Sequence, residues 1–286
     1  MVGDKAELTY TYDHIGAGTD SLSDLAAGKH SFADVLKNAK NPIVLVGAGA
    51  AGRHDGAAVM ALAAKLAMDF GAIKDGWNGF GVLHHAASTV GALDIGFAPG
   101  AGGLSAAEMT TFGTLDVLFS LGADEIKVPD TAFVVYIGTH GDRGAHRADV
   151  ILPGAAYTEK SGIHVNTEGR VQMANRAAFP PGDAREDWAI VRALSDVLGK
   201  KLPYDSLSAL RQAMFKSTPH LMRVDQIEAG DAAAVKTLAG KGGNVEKTAF
   251  KSPVEDFYLT NPIARASAVM AECSRLASGQ MLTAAE

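Results

Sequence analysis

The chain has 286 residues, 47% of them hydrophobic, and a formal net charge of −6. This length and composition suit a globular protein with one large or two modest packed domains. The acidic balance, and a sequence without a dense cluster of Lys and Arg, argue against a nucleic-acid partner.

Three sequence features bear on the compartment. The longest apolar run, Ala57 to Met68, is too short to cross a bilayer, so we expect no direct membrane span. The N-terminus "MVGDKAELTY" carries charges where a signal peptide needs an apolar core. Cys273 is the only cysteine, which excludes internal disulfides and iron-sulfur clusters ligated by the chain's own cysteines. We therefore expect a reducing compartment.

The first regular elements begin at Ser31. The pattern predicts a helix with Ser31 as its N-cap, followed by a strand from Ile43 to Val46. After a glycine-rich loop, a second helix is predicted from Ala57 to Phe70, with Asp55 as its N-cap. Because this helix has almost no polar face, we expect it to be buried against a sheet.

Gly47, Gly49 and Gly52 form a G-x-G-x-x-G pattern directly after the predicted strand. Such a loop can hold a dinucleotide, because glycines let the backbone approach a pyrophosphate. Two features oppose this function here. The acidic residue about 20 positions on is Asp69, at a helix end, and an N-cap carboxylate at Asp55 would repel phosphates. We favour a tight strand-to-helix turn, and a nicotinamide-dependent oxidoreductase built on this loop stays the alternative.

Three short apolar runs follow, Val117 to Leu121, Phe133 to Ile137 and Val150 to Leu152. Continuous apolar runs rich in β-branched and aromatic residues are typical of strands buried on both faces of a parallel sheet. The predicted fold class is therefore α/β, with a largely parallel sheet flanked by helices.

The last third of the chain reads as helical. Asp183 with Glu186 forms a capping-box pattern for an amphipathic helix that ends at Gly199, and Asp205 is predicted to cap another helix through Phe215. Asn261 and Pro262 are predicted to start a final helix, Ile263 to Ala277. The predicted organisation is an N-terminal extension at 1–30, an α/β domain at 31–200, and a helical C-terminal extension at 201–286 with an exposed linker at about 229–254.

The histidines and hydroxyls do not form a recognisable catalytic or metal motif. Five histidines are considered as metal ligands: His84, His85, His140, His146 and His164. Their spacings match neither a zinc protease motif nor a compact Cys/His site. Ser161, His164 and Glu168 lie close in sequence, but the sequence has no G-x-S-x-G nucleophile elbow. We therefore predict neither catalytic nor metal-binding residues.

The segment from Arg147 to Gln172 is dense in groups that can pair. It contains Asn166, Glu168 and Arg170 around turn glycines, together with Glu159 and Lys160. These residues could form a hydrogen-bonded network that holds a long connection, or they could line a ligand pocket. We favour the network, and Asn166, Glu168 and Arg170 stay candidates for cofactor binding beside Gly47, Gly49 and Gly52.

This same segment resembles a signature of the molybdopterin oxidoreductase superfamily, in which a strand ending A-D-V-x-L-P precedes a Glu, a Gly and N-x-E-G-R-x-Q. The matching positions are Asp149, Leu152, Pro153, Glu159, Gly162, Asn166, Glu168, Gly169, Arg170 and Gln172. Longer stretches, such as "PPGDAREDWAIVRALSDVLGKKLPYD" and "VEDFYLTNPIARASAVMAECS", resemble a narrower family. That family is the large iron-sulfur subunit of respiratory NADH:quinone oxidoreductase (complex I), known in bacteria as the G subunit. The resemblance is to its C-terminal part and covers nearly the whole chain.

The resemblance implies a molybdopterin-oxidoreductase-like fold that has lost the pterin cofactor. It also implies that iron-sulfur clusters belong only to the N-terminal region of a full-length subunit, so this chain is expected to be a fragment. NADH would bind to a different, flavin-carrying subunit. The implied role is therefore structural, without catalytic residues of its own, in support of NADH-to-quinone electron transfer and proton pumping.

The implied partners are other subunits of the peripheral arm of complex I. Through them the chain would lie at the cytoplasmic face of a bacterial inner membrane, or at the matrix face in mitochondria. A remnant pterin- or nucleotide-binding module using Asn166, Glu168 and Arg170 is a further alternative. An isolated chain of this kind is expected to expose apolar interface and to self-associate.

Overall fold

The structure is a computed structural model of the chain, and it describes residues 1–112, 115–128, 131–228 and 230–279. These residues divide into two compact units. Unit 1 comprises Met1–Val90, Val165–Arg170 and Asp225–Glu255, and unit 2 comprises the described residues of Gly91–His164, Val171–Val224 and Asp256–Glu286. The domain boundaries predicted at residues 30 and 200 stay a proposal.

The helices are short, apart from one of fourteen residues. Their bounds are α1 Thr19–Ala26, α2 Phe32–Asn38, α3 Ala48–Ala51, α4 Gly56–Asp69, α5 Thr89–Asp94, α6 Ala106–Phe112, α7 Arg143–Arg147, α8 Asp187–Val197, α9 Leu207–Ser217, α10 Ala232–Gly240, α11 Pro262–Arg265 and α12 Ala268–Ala277. Two single 3₁₀ turns lie at Pro219–Met222 and Phe257–Leu259. Among the described residues, none of these helices is long and apolar enough to cross a membrane.

The strands pair in small sheets, mostly in parallel. Their bounds are β1 Val44–Gly47, β2 Ile73–Lys74, β3 Trp77–Asn78, β4 Phe80–Leu83, β5 Val117–Leu121, β6 Phe133–Gly138, β7 Val150–Pro153, β8 Gly162–Val165 and β9 Val171–Ala174. The fold class is thus α/β with parallel sheets flanked by helices, as predicted.

Unit 1 is organised around α4. β1 and β4 run parallel, with Val44 opposite Phe80 and Gly47 opposite Leu83. The predicted burial of α4 is confirmed: Val59 and Leu66 are buried, and the helix packs against α1, α10 and β1. A core of Leu25, Leu66 and their apolar neighbours joins α1 and α2 to this helix.

Unit 2 contains a three-stranded parallel sheet in the order β5-β6-β7. The central strand β6 is buried from Val134 to Ile137, as its continuous apolar run predicts. The prediction that the strands are buried on both faces is wrong for the edge strands, because Phe119 of β5 and Ile151 of β7 are about half exposed. The apolar pattern identifies the strands but not what covers them.

Two predicted helix starts are wrong, one by three residues and the other by one. α8 begins at Asp187 rather than after Asp183, and Glu186 accepts a hydrogen bond from the indole N–H of Trp188 (2.9 Å) instead of closing a capping box. Ser206, not Asp205, caps α9 by accepting from the N–H of Ala209 (3.1 Å).

Other helix ends show which local signals hold. Ser31 precedes α2 but lies in helical conformation and makes no side-chain cap. Asn261 caps its helix as predicted and accepts from the N–H of Ala264 (2.9 Å). The final helix is nevertheless divided into α11 and α12, because Ser267 caps a second start by accepting from the N–H of Met270 (3.3 Å).

In the segment predicted to be an exposed linker, 229–254, the described residues 230–254 are mostly exposed but not structureless. It contains α10, which packs against α4. After α10, Phe250 is buried. The scarcity of apolar residues hid both features, because Ala-rich α10 needs few large side chains to pack on the equally Ala-rich α4.

Candidate functional site

The glycine loop between β1 and α4 contains a helical turn that the sequence did not predict. β1 ends at Gly47, α3 follows at once, and α4 begins at Gly56. A Cβ added to Gly56 would stand 2.0 Å from the carbonyl oxygen of Ala51. Close approach of two backbone segments therefore requires a glycine there, without reference to a ligand.

The chain's own residues Glu246–Pro253, here called the strap, lie against this loop. Arg53 reaches the strap through its guanidinium, which donates to the Thr248 hydroxyl (2.6 Å) and to the carbonyl oxygens of Thr248 (3.3 Å) and Ala249 (3.2 Å). The same guanidinium stacks over the Phe250 ring at 5.0 Å. One arginine from the loop thus binds the backbone of a segment almost two hundred residues away.

Asp55 completes this contact and does not cap α4. Its carboxylate accepts from Arg53 Nε (2.7 Å) and Nη2 (3.0 Å), and from the backbone N–H of Glu246 (2.7 Å). The side chain makes no cap hydrogen bond to the helix, so the predicted capping role is wrong. The hydrogen bonds from Arg53 and Glu246 lower the pKa of the Asp55 carboxyl to about 2. The group is therefore an anion at neutral pH, at the start of α4.

The strap is also attached from its other side. The buried Thr19 hydroxyl donates to the carbonyl oxygen of Glu246 (2.6 Å), and the N–H of Phe250 donates to Ala17 (2.8 Å). Gly18 and Ala249 form an isolated antiparallel bridge. The strap is therefore held between the residues before α1 and the glycine loop.

Gly49, the central glycine of the motif, is covered by the strap. A Cβ on Gly49 would stand 2.8 Å from Pro253 Cδ and 3.1 Å from the carbonyl oxygen of Lys251. The space that a pyrophosphate needs beside this glycine is filled by Pro253. A depression of about 550 Å³ beside the strap has walls of mixed charge, including Asp55 and Glu246, which disfavour an anion.

The second predicted group, Asn166, Glu168 and Arg170, lies at the turn between β8 and β9. Asn166 Oδ1 accepts from the N–H groups of Glu168 and Arg170 (both 3.0 Å), and Gly169 has φ +82°. Arg170 Nη1 donates to the carbonyl oxygen of Asp225 (2.7 Å). The three side chains are thus brought together by a turn, and Arg170 ties that turn to a later segment.

A different place, which the sequence did not single out, has the position expected of a ligand site. A cleft of about 340 Å³ opens at the carboxyl ends of β5 and β6, where ligands bind in many parallel α/β sheets. Its charged lining residues are Lys160 and Asp187, which are paired with each other. Lys160 was noted in the sequence, but its partner lies 27 residues away on α8, so no local pattern could identify the pair.

Ser161, the hydroxyl noted in the sequence, has structural partners. Ser161 Oγ donates to the carbonyl oxygen of Ala174 (2.9 Å) and accepts from Arg211 Nη2 (2.9 Å). Its hydroxyl is therefore engaged with the fold. Within the described residues, His, Cys, Asp and Glu form no group of three that could hold a metal ion.

Two family models match this chain. The model described as molybdopterin oxidoreductase matches residues 1–197, which is more than half of the chain. The chain belongs to the molybdopterin oxidoreductase family. Residues 223–273 match a second model, which describes the C-terminal part of the G subunit of NADH-ubiquinone oxidoreductase. Both resemblances inferred from the sequence are confirmed.

Curated relatives extend the match. The "NADH dehydrogenase [ubiquinone] iron-sulfur protein 1, mitochondrial" of Solanum tuberosum is 43% identical over 96% of this chain and 37% of its own length. The "NADH-ubiquinone oxidoreductase 75 kDa subunit" of Reclinomonas americana is 41% identical, over 96% and 40%. The "NADH-ubiquinone oxidoreductase 78 kDa subunit, mitochondrial" of Candida albicans is 42% identical, over 93% and 37%. This chain therefore spans about two fifths of the length of these relatives.

Proposed function

We propose that this chain is a non-catalytic structural region of the large iron-sulfur subunit of an NADH:quinone oxidoreductase, the respiratory complex I. The strap carries this proposal. Its Pro253 covers Gly49, and the paired Arg53 and Asp55 of the glycine loop bind its backbone, so the loop serves the chain's own packing. The names of three relatives that are 41 to 43% identical support the assignment to this subunit.

In this proposal the iron-sulfur clusters belong to the full-length subunit and not to this chain. The chain supports NADH-to-quinone electron transfer and proton pumping by holding neighbouring parts in position. Its partners are other peripheral-arm subunits, at the cytoplasmic face of a bacterial inner membrane or the matrix face of mitochondria. The lone Cys273 supports this division, because a cluster needs several thiolates.

The name of the family raises the question of a pterin cofactor, which carries phosphate. The two places described above do not fit such a group. In the cleft at the carboxyl ends of β5 and β6, the cation Lys160 is already neutralised by Asp187. The glycine loop is covered by Pro253. We therefore assign no step to a pterin.

Measurements on the purified chain give the first test of the proposal. The purified chain is titrated with NADH in a calorimeter, and its molybdenum content and nucleotide absorbance are determined. The proposal expects no heat of binding and neither ligand. Micromolar NADH binding would instead support a nicotinamide-dependent oxidoreductase, and molybdenum or a nucleotide at one equivalent would support a remnant cofactor module.

The assembled enzyme gives the second test. Asp187→Asn leaves Lys160 without its partner in the cleft, and Arg176→Gln changes a similarly exposed pair with Glu186 that does not line the cleft, as a matched control. A structural role predicts that either variant lowers only the amount of assembled enzyme, with turnover per enzyme within about twofold. A tenfold or larger loss of turnover in fully assembled Asp187→Asn enzyme would contradict it.

A further inference from the structure

Asn78 and Gly79 form the one Asn-Gly pair of the sequence, at the junction of β3 and β4 in unit 1. Asparagine is among the thermolabile residues of proteins. Its side-chain carbonyl carbon can be attacked by the backbone nitrogen of the next residue, and a glycine, which has no Cβ, obstructs this attack least. Asn78 is exposed, so water reaches its side chain. The pair is therefore a candidate for a covalent change that needs no enzyme.

The fold requires the glycine of this pair. A Cβ on Gly79 would stand 2.2 Å from the carbonyl oxygen of Pro42 and 3.1 Å from that of Ala72. Both are backbone atoms, so a larger residue could enter only if the main chain moved. Packing therefore explains the glycine, and the reactivity of Asn78 follows from it.

One hydrogen bond favours the reaction and another opposes it. Asn78 Oδ1 accepts from the N–H of Phe80 (3.1 Å). This oxygen gains negative charge during the attack, and a donor already placed on it stabilises that charge. The N–H of Gly79, however, donates to the carbonyl oxygen of Ala72 (2.7 Å), which holds the attacking nitrogen in the hairpin of β2 and β3. The hairpin must open before this nitrogen can turn toward the side chain.

The hairpin of β2 and β3 is small enough to open locally. Each strand contributes two residues, Ile73–Lys74 opposite Trp77–Asn78. A two-stranded hairpin is marginally stable by itself, and such elements open far more often than a whole domain unfolds. We propose that Asn78 deamidates spontaneously in the folded chain, through a succinimide formed with Gly79 when this hairpin opens.

The reaction is a ring closure followed by hydrolysis. The Gly79 nitrogen loses its proton and bonds to Cγ of Asn78, while the Cγ–Nδ2 bond breaks and Nδ2 takes up a proton and leaves as ammonia. Water then adds to one of the two carbonyl carbons that came from Asn78. Addition at Cγ gives aspartate on a normal backbone, and addition at the former main-chain carbonyl gives isoaspartate. The only co-reactant is water, and nothing is oxidised or reduced.

Isoaspartate changes unit 1 more than aspartate does, because it adds one carbon to the main chain between Trp77 and Gly79. On one side of this carbon, Trp77 Nε1 donates to the carbonyl oxygen of Pro42 (3.0 Å). On the other side, the carbonyl oxygen of Gly79 accepts from the N–H of Val44 (2.7 Å). Both contacts hold the start of β1, so a longer main chain here weakens the pairing of β1 with β4.

Peptide mapping measures the reaction. The folded chain is incubated at pH 8 in water labelled with oxygen-18, which marks residues hydrolysed during the incubation. Isoaspartate at position 78 should accumulate at least about tenfold faster than at Asn166, the matched control. Asn166 Oδ1 also accepts from the N–H two residues on, that of Glu168 (3.0 Å), but the residue after Asn166 is the β-branched Thr167. Absence of isoaspartate at position 78, or equal rates at the two asparagines, would overturn the proposal.

Two glycine variants test the opening of the hairpin. Gly76, in the hairpin turn, has φ +73°, and a Cβ there meets nothing within 4 Å. Gly76→Val strains the turn and should raise the deamidation rate about three- to tenfold. Gly96→Val is the control, because Gly96 has φ +76° and equally open surroundings but lies outside the hairpin. It should leave the rate within about twofold. An unchanged rate in Gly76→Val would overturn the route through the open hairpin.

The effect on β1 has its own readout. Chains with isoaspartate at position 78, separated from unmodified protein by ion exchange, should unfold at a lower urea concentration than Asn78→Asp. That variant carries the same charge on a normal backbone. Equal urea midpoints would overturn the effect assigned to the longer main chain.

Discussion

Pro253 lies over Gly49 so closely that a Cβ on the glycine would stand 2.8 Å from Pro253 Cδ. The glycine is therefore required by the strap, and the motif G-x-G-x-x-G has a packing explanation. A dinucleotide loop requires the same residue for a different reason, the approach of a phosphate. The two explanations differ in what a small side chain at position 49 would change.

Gly49→Ala should lower the free energy of unfolding by about 1 to 3 kcal/mol, because the added methyl group must displace Pro253 or the Lys251 carbonyl. Urea unfolding measures the change. Gly47→Ala is the matched control, since a Cβ there meets nothing within 4 Å, and it should change stability by about 0.5 kcal/mol or less. Equal effects of the two substitutions would contradict the packing explanation.

Acid should loosen the strap. The pKa of Asp55 is lowered to about 2, below the usual value near 3.9, so its stabilisation is present above pH 4 and lost as the pH falls toward 2. Asp55→Asn should be less stable than wild type at pH 7. Between pH 4 and 2, wild type should take up as much as about one more proton on unfolding than the variant does. The stability of Asp55→Asn should therefore fall less steeply with pH over this range.

Urea midpoints at a series of pH values from 6 to 2.5 measure this difference. Asp205→Asn is the control, because the pKa of Asp205 is also lowered by Arg192, but the Asp205 side chain is 75% exposed and salt should screen the interaction. The Asp55 effect should persist in high salt, and parallel pH curves for wild type and Asp55→Asn would refute the role of this carboxylate.

The strands and the helices were predictable to different degrees. The runs Val117 to Leu121 and Phe133 to Ile137 match β5 and β6 almost residue for residue, because a short apolar run limits both the place and the type of the element. The same runs do not reveal burial. Whether Phe119 is covered depends on what packs on the sheet, and no local pattern carries that information.

The prediction of a helix cap fails where a partner distant in sequence competes for the side chain. Asp55 has the right position for an N-cap, but Arg53 and the backbone of Glu246 bind its carboxylate. Asn261 has no such competitor among its described contacts and caps its helix as predicted. The strap itself could not be predicted, because its contacts join residues about 190 positions apart.

Asp225 provides a test of the segment that Arg170 holds. It is the non-glycine residue with positive φ among the described residues, at φ 63°. Asp225→Val should cost about 1 to 2 kcal/mol of stability, because a β-branched side chain is strained in this conformation. Asp225→Gly should change stability by less than about 1 kcal/mol, since relief of strain is offset by a more flexible unfolded chain.

Thermal unfolding of the two variants checks this prediction. Val224→Thr, one residue earlier, is a control for the effect of changing the segment without a left-handed position. A stable Asp225→Val variant would show that the backbone can adopt another conformation there while Arg170 keeps its contact.

Arg265 should be the most important cation of the C-terminal helices. It pairs with Asp142 and Glu125 (2.7 Å) and donates to the carbonyl oxygen of Leu259 (3.0 Å). Burial acts to raise the pKa of Asp142, but hydrogen bonds from Arg265 and from the Arg143 backbone hold that pKa below its usual range. Arg265→Met should therefore cost about 1.5 to 3 kcal/mol, because it leaves Asp142 with one partner fewer.

Arg275→Met is the control for this substitution. Its pair with Glu272 is exposed and longer, at 3.8 Å, and should contribute about 0 to 1 kcal/mol. Urea unfolding at pH 7 separates the two cases. If both substitutions cost the same, the contacts of Arg265 add nothing beyond an ordinary surface pair.

The exposed face of β5 should make the isolated chain self-associate. Val117, Phe119 and Leu121 alternate along this edge strand, lie on one face, and are 49%, 48% and 53% exposed. Faces of parallel sheets are ordinarily covered, and an open apolar edge strand invites pairing between chains. Phe119→Lys should shift the protein toward monomer in sedimentation and light scattering, because a charge on this strand must be desolvated when the chains associate.

Val197→Lys, at an 85% exposed helix position, is the control and should leave association unchanged. Far-ultraviolet circular dichroism must show that both variants keep the wild-type fold. A wild-type chain that stays monomeric at every concentration would mean that the apolar face of β5 is tolerated in water and does not mark an interface.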